Sequence, residues 1–384
     1  MAPSAIATVT ETGPEYVTFH AAKGRGKRLV LKGDKMKDTF ETIPTVDFTK
    51  AFSSSLEDRK SVAKEVGDAF RNVGFLYAKG HGIPEDLQER TKEAVKQFFA
   101  LPTEEKVKLH INNSPAIMGY EALLETKLDE TTRGDLKEAF LMGTDPKDPE
   151  QDAPKDLDPE IYPPGQVRNQ WPPVELLPEF RKTIYEYRNA LLAFSKTLVH
   201  MIALALDLDE LYLDKYLRYP HSSCRLLRYP PQEVSNDVGI GAHADYTWFT
   251  LVNQLTPDPA LEVLNANAHW VSAVPVPNTL VVNVGDFLER ATNDEFVSTV
   301  HRVVNKTGKE RYSLPFFLTP TMDTMVETFP TCWGPDRPKK YEDISADQWQ
   351  KMRLYSARYK HPASIAARKA GKVAYDTNTQ ANGK

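Results

Sequence analysis

Between Ser223 and Phe317 the chain spells out one short run of Val, Leu, Thr, Phe and Tyr after another, each broken by Pro, Gly, Asn or Asp: LVNQL, HWVSAV, TLVVNV, HRVVN and RYSLPFFL. Runs of this length and composition are strands. A parallel sheet needs a long crossover, usually helical, between its strands, and no helical period separates these. Evenly spaced short strands of this kind fit a sandwich or jelly roll instead.

Helical periods flank this region. IPTVDF from Ile43 reads as a short strand, and Val62, Val66, Ala69, Phe70 and Val73 then recur at helical spacing until Gly74 stops them. Phe75–Ala78 gives a second strand, followed by a Gly-His-Gly turn and an amphipathic helix carrying Leu87, Val95, Phe98 and Phe99. The clearest helix runs through Ile184, Tyr187, Leu191, Phe194, Leu198, Met201 and Leu204, a spine expected to lie against a sheet. A last amphipathic helix is expected over Ala346–Tyr359. The fold class is therefore mainly β with flanking helices, a sandwich or jelly-roll core with an α-rich N-terminal region.

Nine prolines and eight acidic residues between Thr144 and Pro178 exclude helix and central strand and imply a long surface loop. Three regions follow: 1–40, a solvated peripheral extension; 41–178, an α-rich entry region ending in that loop; and 179–384, with the spine helix, the jelly roll and the C-terminal helix.

The balance of charge narrows the partners. A net charge of −5 offers no electrostatic footprint for nucleic acid, so a small-molecule substrate is expected. The longest apolar stretch, Met201–Leu206, is far short of the ~20 residues a membrane helix needs. MAPSAIATVTETGPE lacks the features of a secretory signal, and Cys224 and Cys332 are too few for a disulfide scaffold, so a cytoplasmic monomer is expected.

Chemistry concentrates in GIGAHADYTWF, where His243 and Asp245 are one residue apart and would project from the same face of an extended strand. His301, opening HRVVN, is a third donor that antiparallel strands can fold back beside them. Two imidazoles and a carboxylate on one face of an octahedral ion leave adjacent positions open, as in non-haem iron oxygenases; zinc prefers a tetrahedron. His-x-Asp alone is a weak signal, since it arises by chance and strand histidines are more often structural. Arg311-Tyr312-Ser313 adds weight, because Arg and Ser on one strand face offer a guanidinium fork and a hydroxyl to one carboxylate.

With His-x-Asp, His and Arg-x-Ser in this order, the chain resembles the isopenicillin N synthase-like family of Fe(II)/2-oxoglutarate-dependent dioxygenases. The resemblance runs from Ile43 to Tyr359 through IPTVDF, GFLYAKGHGIP, FFALP, Gly119-Tyr120, DLKEAFLMG, NQWP, LLRYPPQ, GAHADY, LVVNVGDFLE, HRVVN and RYSLPFF. It implies a double-stranded β-helix (jelly roll) core, Fe(II) on His243, Asp245 and His301, the far carboxylate of 2-oxoglutarate on Arg311 with Ser313, and Tyr229 reaching the co-substrate. It also implies O2 as oxidant, with succinate and CO2 released as a small metabolite is hydroxylated, desaturated or cyclised. Plant-type members carry Asn two positions before that tyrosine, where this chain has Leu227, and LLRYPPQ with GIGAHADY looks microbial, including the ethylene-forming branch. Rival readings are an oxidase that cyclises its substrate without 2-oxoglutarate, ethylene formation, and a non-catalytic binding module.

Other residues have plainer roles. His81 reads as a turn contact, His200 as a packed or surface histidine and Asp286 as turn chemistry. Of Trp248 and Phe249 one is expected in the core, while Tyr120 and Phe140 fall, on the resemblance, near the substrate mouth.

Overall fold

A computed structural model describes residues 14–371 apart from 23, 128–133, 146–158, 160, 162–168, 233–237 and 359. Most of the expected proline-rich loop, with Tyr359, lies outside the described residues.

The chain opens with β1 (Tyr16–Ala21), β2 (Gly24–Leu29) and β3 (Thr45–Asp47), then α1 (Leu56–Asn72), β4 (Phe75–Lys79), α2 (Glu85–Ala100) and α3 (Thr103–Lys108). Next come β5 (Gly119–Glu121), β6 (Glu138–Gly143) and the spine α4 (Phe180–Ala205). The strand-rich region gives β7 (His221–Tyr229), β8 (Ile240–His243), β9 (Phe249–Gln254), β10 (Leu261–Leu264), β11 (Trp270–Ser272), β12 (Thr279–Val284), α5 (Asp286–Ala291), β13 (His301–Val303) and β14 (Arg311–Thr319). It closes with β15 (Met325–Val326), β16 (Ile344–Ser345), α6 (Ala346–Ala357) and α7 (Pro362–Lys369).

Apart from β10 and β11, which pair within one sheet, strands β7 to β14 alternate between two sheets, as in a jelly roll. One sheet runs β3-β4-β12-β9-β14-β7-β6-β5 and the other β11-β10-β13-β8-β1-β2. Their facing surfaces enclose Phe75, Tyr77, Leu227, Tyr229, Val263, Val281 and Val303. The opposite face of the large sheet, through Leu226, Leu251, Val282, Leu314 and Phe316, packs on α4 residues such as Leu191, Phe194 and Leu198. Burying an aliphatic or Phe side chain contributes about 1.5–3 kcal/mol, so this helix-backed face anchors the strands that carry the site.

Local chemistry sets the element ends. At the end of α1, Gly74 takes φ +72° and donates to Ala69 O at 2.9 Å, a left-handed cap that a side chain would obstruct, since a Cβ there would lie 2.1 Å from Val297 O. Helix α6 starts on a capping box: Ser345 Oγ accepts from Gln348 N at 3.2 Å and Gln348 Oε1 accepts from Ser345 N at 3.4 Å.

One expectation needs correcting. The basic segment taken as a solvated extension forms the β1–β2 hairpin, with Tyr16 opposite Leu29 and Phe19 opposite Gly26, and β1 pairs in parallel with β8 at His20 and His243. The lysine and arginine density of GRGKRL belongs to a sheet edge, where charge blocks further pairing.

Candidate active site

Strand β8 ends at His243, β13 begins at His301, and the two residues are direct cross-strand partners. Between His301 and Val303 the register slips, since Val303 pairs with Ile240, and such a bulge re-aims the side chains beside it. Asp245 lies just past the end of β8 rather than on it, yet its carboxylate still reaches both imidazoles: Oδ1 is 3.7 Å from His243 Nε2 and Oδ2 3.8 Å from His301 Nε2. One donor atom from each of the three residues falls within 4.8 Å of the others.

The ring nitrogens facing away from this point are committed. His243 Nδ1 donates to Gly241 O at 2.8 Å and His301 Nδ1 to Thr299 O at 3.1 Å; a carbonyl can only accept, so these bonds select the tautomer that, in the neutral ring, leaves the lone pair on Nε2. Burial, and then the charge of His301, push His243 down to about 4, which keeps its ring neutral and able to ligate. Burial alone would raise the Asp245 carboxyl, but the two histidines and donors from Thr250 Oγ1 at 2.6 Å and Asn283 Nδ2 at 2.8 Å hold it below its ordinary value. Two imidazole nitrogens and a carboxylate suit an octahedral divalent ion with free positions.

Arg311 lies on the inner face of β14, 1% exposed. Its Nη1 donates to Ser313 Oγ at 3.3 Å and Nη2 to Gln254 Oε1 at 3.1 Å, its guanidinium covers the Tyr229 ring at 5.0 Å, and Nε has no partner. Register accounts for this grouping, since Arg311 faces Tyr229 on β7 and Ser313 lies between Leu227 and Gln254. Leu227 is apolar and buried, so polar contact from this part of the large sheet comes from Tyr229 on β7 and Gln254 on β9. Among the described residues no carboxylate meets the guanidinium. A buried cation with only neutral partners is costly unless an anion completes it, which is the chemistry a dicarboxylate co-substrate supplies.

Comparison with known proteins agrees with this geometry. Residues 43–173 match the model for the non-haem dioxygenase in morphine synthesis N-terminal region, and residues 220–320 that for the 2OG-Fe(II) oxygenase superfamily. A 2-oxoglutarate-Fe(II) type oxidoreductase, ppzC, of Metarhizium rileyi is 31% identical over 370 residues, covering 90% of this chain and 96% of the relative. Another, hxnY of Emericella nidulans, is 34% identical over 313 residues, covering 79% and 87%. This chain belongs to the 2OG-Fe(II) oxygenase superfamily. Among solved structures the oxygenase is similar to a full-length Neurospora crassa protein in complex with alpha-KG and thymine, with a TM-score of 0.71, 28% identity, and coverage of 82% of this chain and 96% of that one. Fe(II), 2-oxoglutarate and O2 are its cofactors and co-substrates, and it oxidises a small organic molecule with release of succinate and CO2.

The remaining residues of the oxygenase sort cleanly. His81 is buried, accepts from Ile83 N at 3.1 Å and packs edge-on against Phe194, while His200 Nε2 lies 2.9 Å from Asp214. Trp248 and Phe249 are both core. Tyr120 and Phe140, expected near the substrate mouth, are core as well: Tyr120 donates its hydroxyl to Glu138, and Phe140 stands 4.5 Å from Phe98. Asp286 does more than turn the chain, because it pairs with Arg353 at 2.8 Å while its amide donates to Asp245 O at 2.7 Å.

Sequence reasoning missed Thr250, Gln254 and Asn283, and it missed a charged cluster of Glu121, Lys137, Arg225 and Arg358. One signal was present: Arg225, Leu227 and Tyr229 alternate along β7, so assigning Tyr229 to the pocket places Arg225 on the same face.

Proposed function

We propose that His243, Asp245 and His301 hold Fe(II), that Arg311 with Ser313 binds the far carboxylate of 2-oxoglutarate, and that Tyr229 packs beside it, in an enzyme of the isopenicillin N synthase-like branch. The observation that carries this reading is the buried Arg311 guanidinium, lacking an acidic partner among the described residues and sharing the inner face of the roll with the triad. When bound, iron supplies dioxygen activation coupled to decarboxylation of the keto acid. The chain's own work is positional. Hydrogen bonds to Gly241 O and Thr299 O orient the two rings, Thr250 and Asn283 hold one oxygen of Asp245, and burial keeps bulk water from Arg311.

The division into an entry region to residue 178 and a catalytic region beyond it belongs to the same proposal; the two family matches fall on either side of that point. A reducing, cytoplasmic setting is supported by Cys224 and Cys332, both buried and unpaired.

The test is Arg311→Ala. Truncating one partner of a buried charge pair costs ~2–5 kcal/mol, so 2-oxoglutarate affinity should fall by roughly thirty- to several-thousand-fold while Fe(II) stays bound. Arg311→Lys should recover only part, because an ammonium lacks the two-pronged geometry. The readout is the absorption band formed when the keto acid chelates Fe(II) under anaerobic conditions. Unchanged affinity would remove Arg311 from the co-substrate site, and loss confined to the primary substrate would favour an oxidase that needs no 2-oxoglutarate.

A further inference from the structure

A row of cross-strand partners crosses the inner face of the large sheet: Glu121 on β5 opposite Ala139 on β6, Ala139 opposite Leu227, Leu227 opposite Ser313, and Ser313 opposite Gln254. Glu121 therefore shares a face with the Arg311 site. Arg225 stands two residues along β7 from Leu227, on that same face, and ion-pairs with Glu121. Arg358, just past α6, reaches the other Glu121 oxygen at 2.9 Å.

Lys137, 1% exposed, sits beside this group, its Nζ donating among the described residues to Thr126 Oγ1 at 2.6 Å. It feels attraction from Glu121 and Asp135 and repulsion from Arg225 and Arg358. Three cations thus face two carboxylates, and the Nε groups of Arg225 and Arg358 lack partners. The neighbouring Arg353–Asp286 pair is neutral in itself. The charge of Arg225 also reaches His243, Tyr229 and Tyr246, which puts the group within range of the metal donors.

The surplus is not needed by the co-substrate. If Fe(II) and 2-oxoglutarate bind as proposed above, Asp245 and one carboxylate neutralise the metal, and Arg311 neutralises the other carboxylate. Among the described residues, and with Lys137 protonated, one positive charge is left over, buried, with unused donors.

The geometry points to a primary substrate that carries a single carboxylate, held by Arg225, Lys137 and Arg358 beside the metal triad. This rests on the Fe(II)/2-oxoglutarate reading. One uncompensated cation matches a monoanion, and the planar forks of Arg225 and Arg358 favour a planar carboxylate. Glu121 then acts as a positioning residue that keeps both guanidinium groups aimed.

The experiment uses full-length protein loaded with Fe(II) and 2-oxoglutarate under nitrogen. Phenylacetate, hexanoate and N-acetyl-L-leucine are each titrated beside their primary amides, following the shift of the iron–keto acid absorption band and the melting temperature. At least one acid should bind about ten-fold or more tightly than its amide, and Arg225→Met should bring that ratio to within about two-fold. Arg225→Met leaves two cations facing two carboxylates, a balanced set that the fold should tolerate, and Arg225→Lys should restore part of the ratio. Lys137→Met reads the same charge from the segment leading into β6 if Arg225→Met does not fold. Acids that bind no better than amides, or fail to bind at all, overturn the inference, as does a ratio unchanged in both methionine variants. Absence of the absorption band in the parent protein would instead overturn the metal and co-substrate assignment beneath it.

Discussion

Asp245 supplies the only formal negative charge among the three proposed metal donors, and that charge is maintained by its neighbours. Thr250 and Asn283 donate to a single oxygen, Oδ2, so they aim the carboxylate as well as ionise it. Outer hydrogen bonds of this kind are worth about 10–100-fold in metal affinity. Thr250→Val and Asn283→Leu should each weaken Fe(II) binding within that range, measured by chelator competition, with a small change in melting temperature. Lys137 gives a second test at this scale. Burial, and then the charge of Arg225, push its ammonium down to about 7 in the folded protein, whereas the unfolded chain keeps an ordinary lysine. Between about 7 and the ordinary lysine value of about 10.4 the unfolded state binds more protons, so this group makes stability rise with pH through that window and contributes no slope below it. Lys137→Met should flatten that rise in a series of melts and should raise the melting temperature most at acidic pH, where the parent carries the buried charge in full. A variant that melts lower at every pH would mean that Lys137 supports the fold.

At the level of elements, the β1–β2 hairpin and α6 both act on the site from outside the jelly roll. Ala244, between His243 and Asp245, donates its amide to His20 O at 2.8 Å, so the hairpin braces the backbone carrying two of the three donors. Removing residues 1–31 should leave the far-ultraviolet circular dichroism close to that of the parent in shape while Fe(II) retention falls by roughly ten-fold; equal retention would make the hairpin an edge cover only. Helix α6 is fastened by Trp349, which donates to Tyr246 O at 2.6 Å and stacks on Phe287 at 5.1 Å. The hairpin also marks where sequence reading stops, whereas α6 was expected from its period. Periodicity exposed α1, α4 and most strands of the roll because one face of each is buried, and short spacing singled out His243, Asp245, Arg311 and Ser313 as candidates, although only Arg311 and Ser313 share a strand while Asp245 lies past the end of β8. The hairpin was not legible, since its edge-protecting charge looks like solvation. Glu121, Lys137, Arg225 and Arg358 come from β5, the approach to β6, β7 and the end of α6, and no spacing rule joins residues that only tertiary folding brings together.

For the molecule as a whole, the two sheets divide the labour. The small sheet and the loop after β8 contribute the metal donors, whereas the large sheet contributes Arg311, Ser313, Tyr229, Glu121 and Arg225. The helical layer behind the large sheet holds the second set rigid through a core of aliphatic and aromatic residues. A few charges lie inside, at the cluster and at Arg311, in a chain whose overall balance of −5 says nothing of where they sit. The placement of Arg353 and Arg358 on α6 and just beyond it gives the molecule an order of assembly. A chain emerging from the ribosome presents β8, β13 and β14 before α6, so the triad and Arg311 are available to fold first, and the residues that complete the cluster arrive afterwards. A nascent oxygenase can therefore acquire its metal donors before it acquires its full complement of discriminating charge.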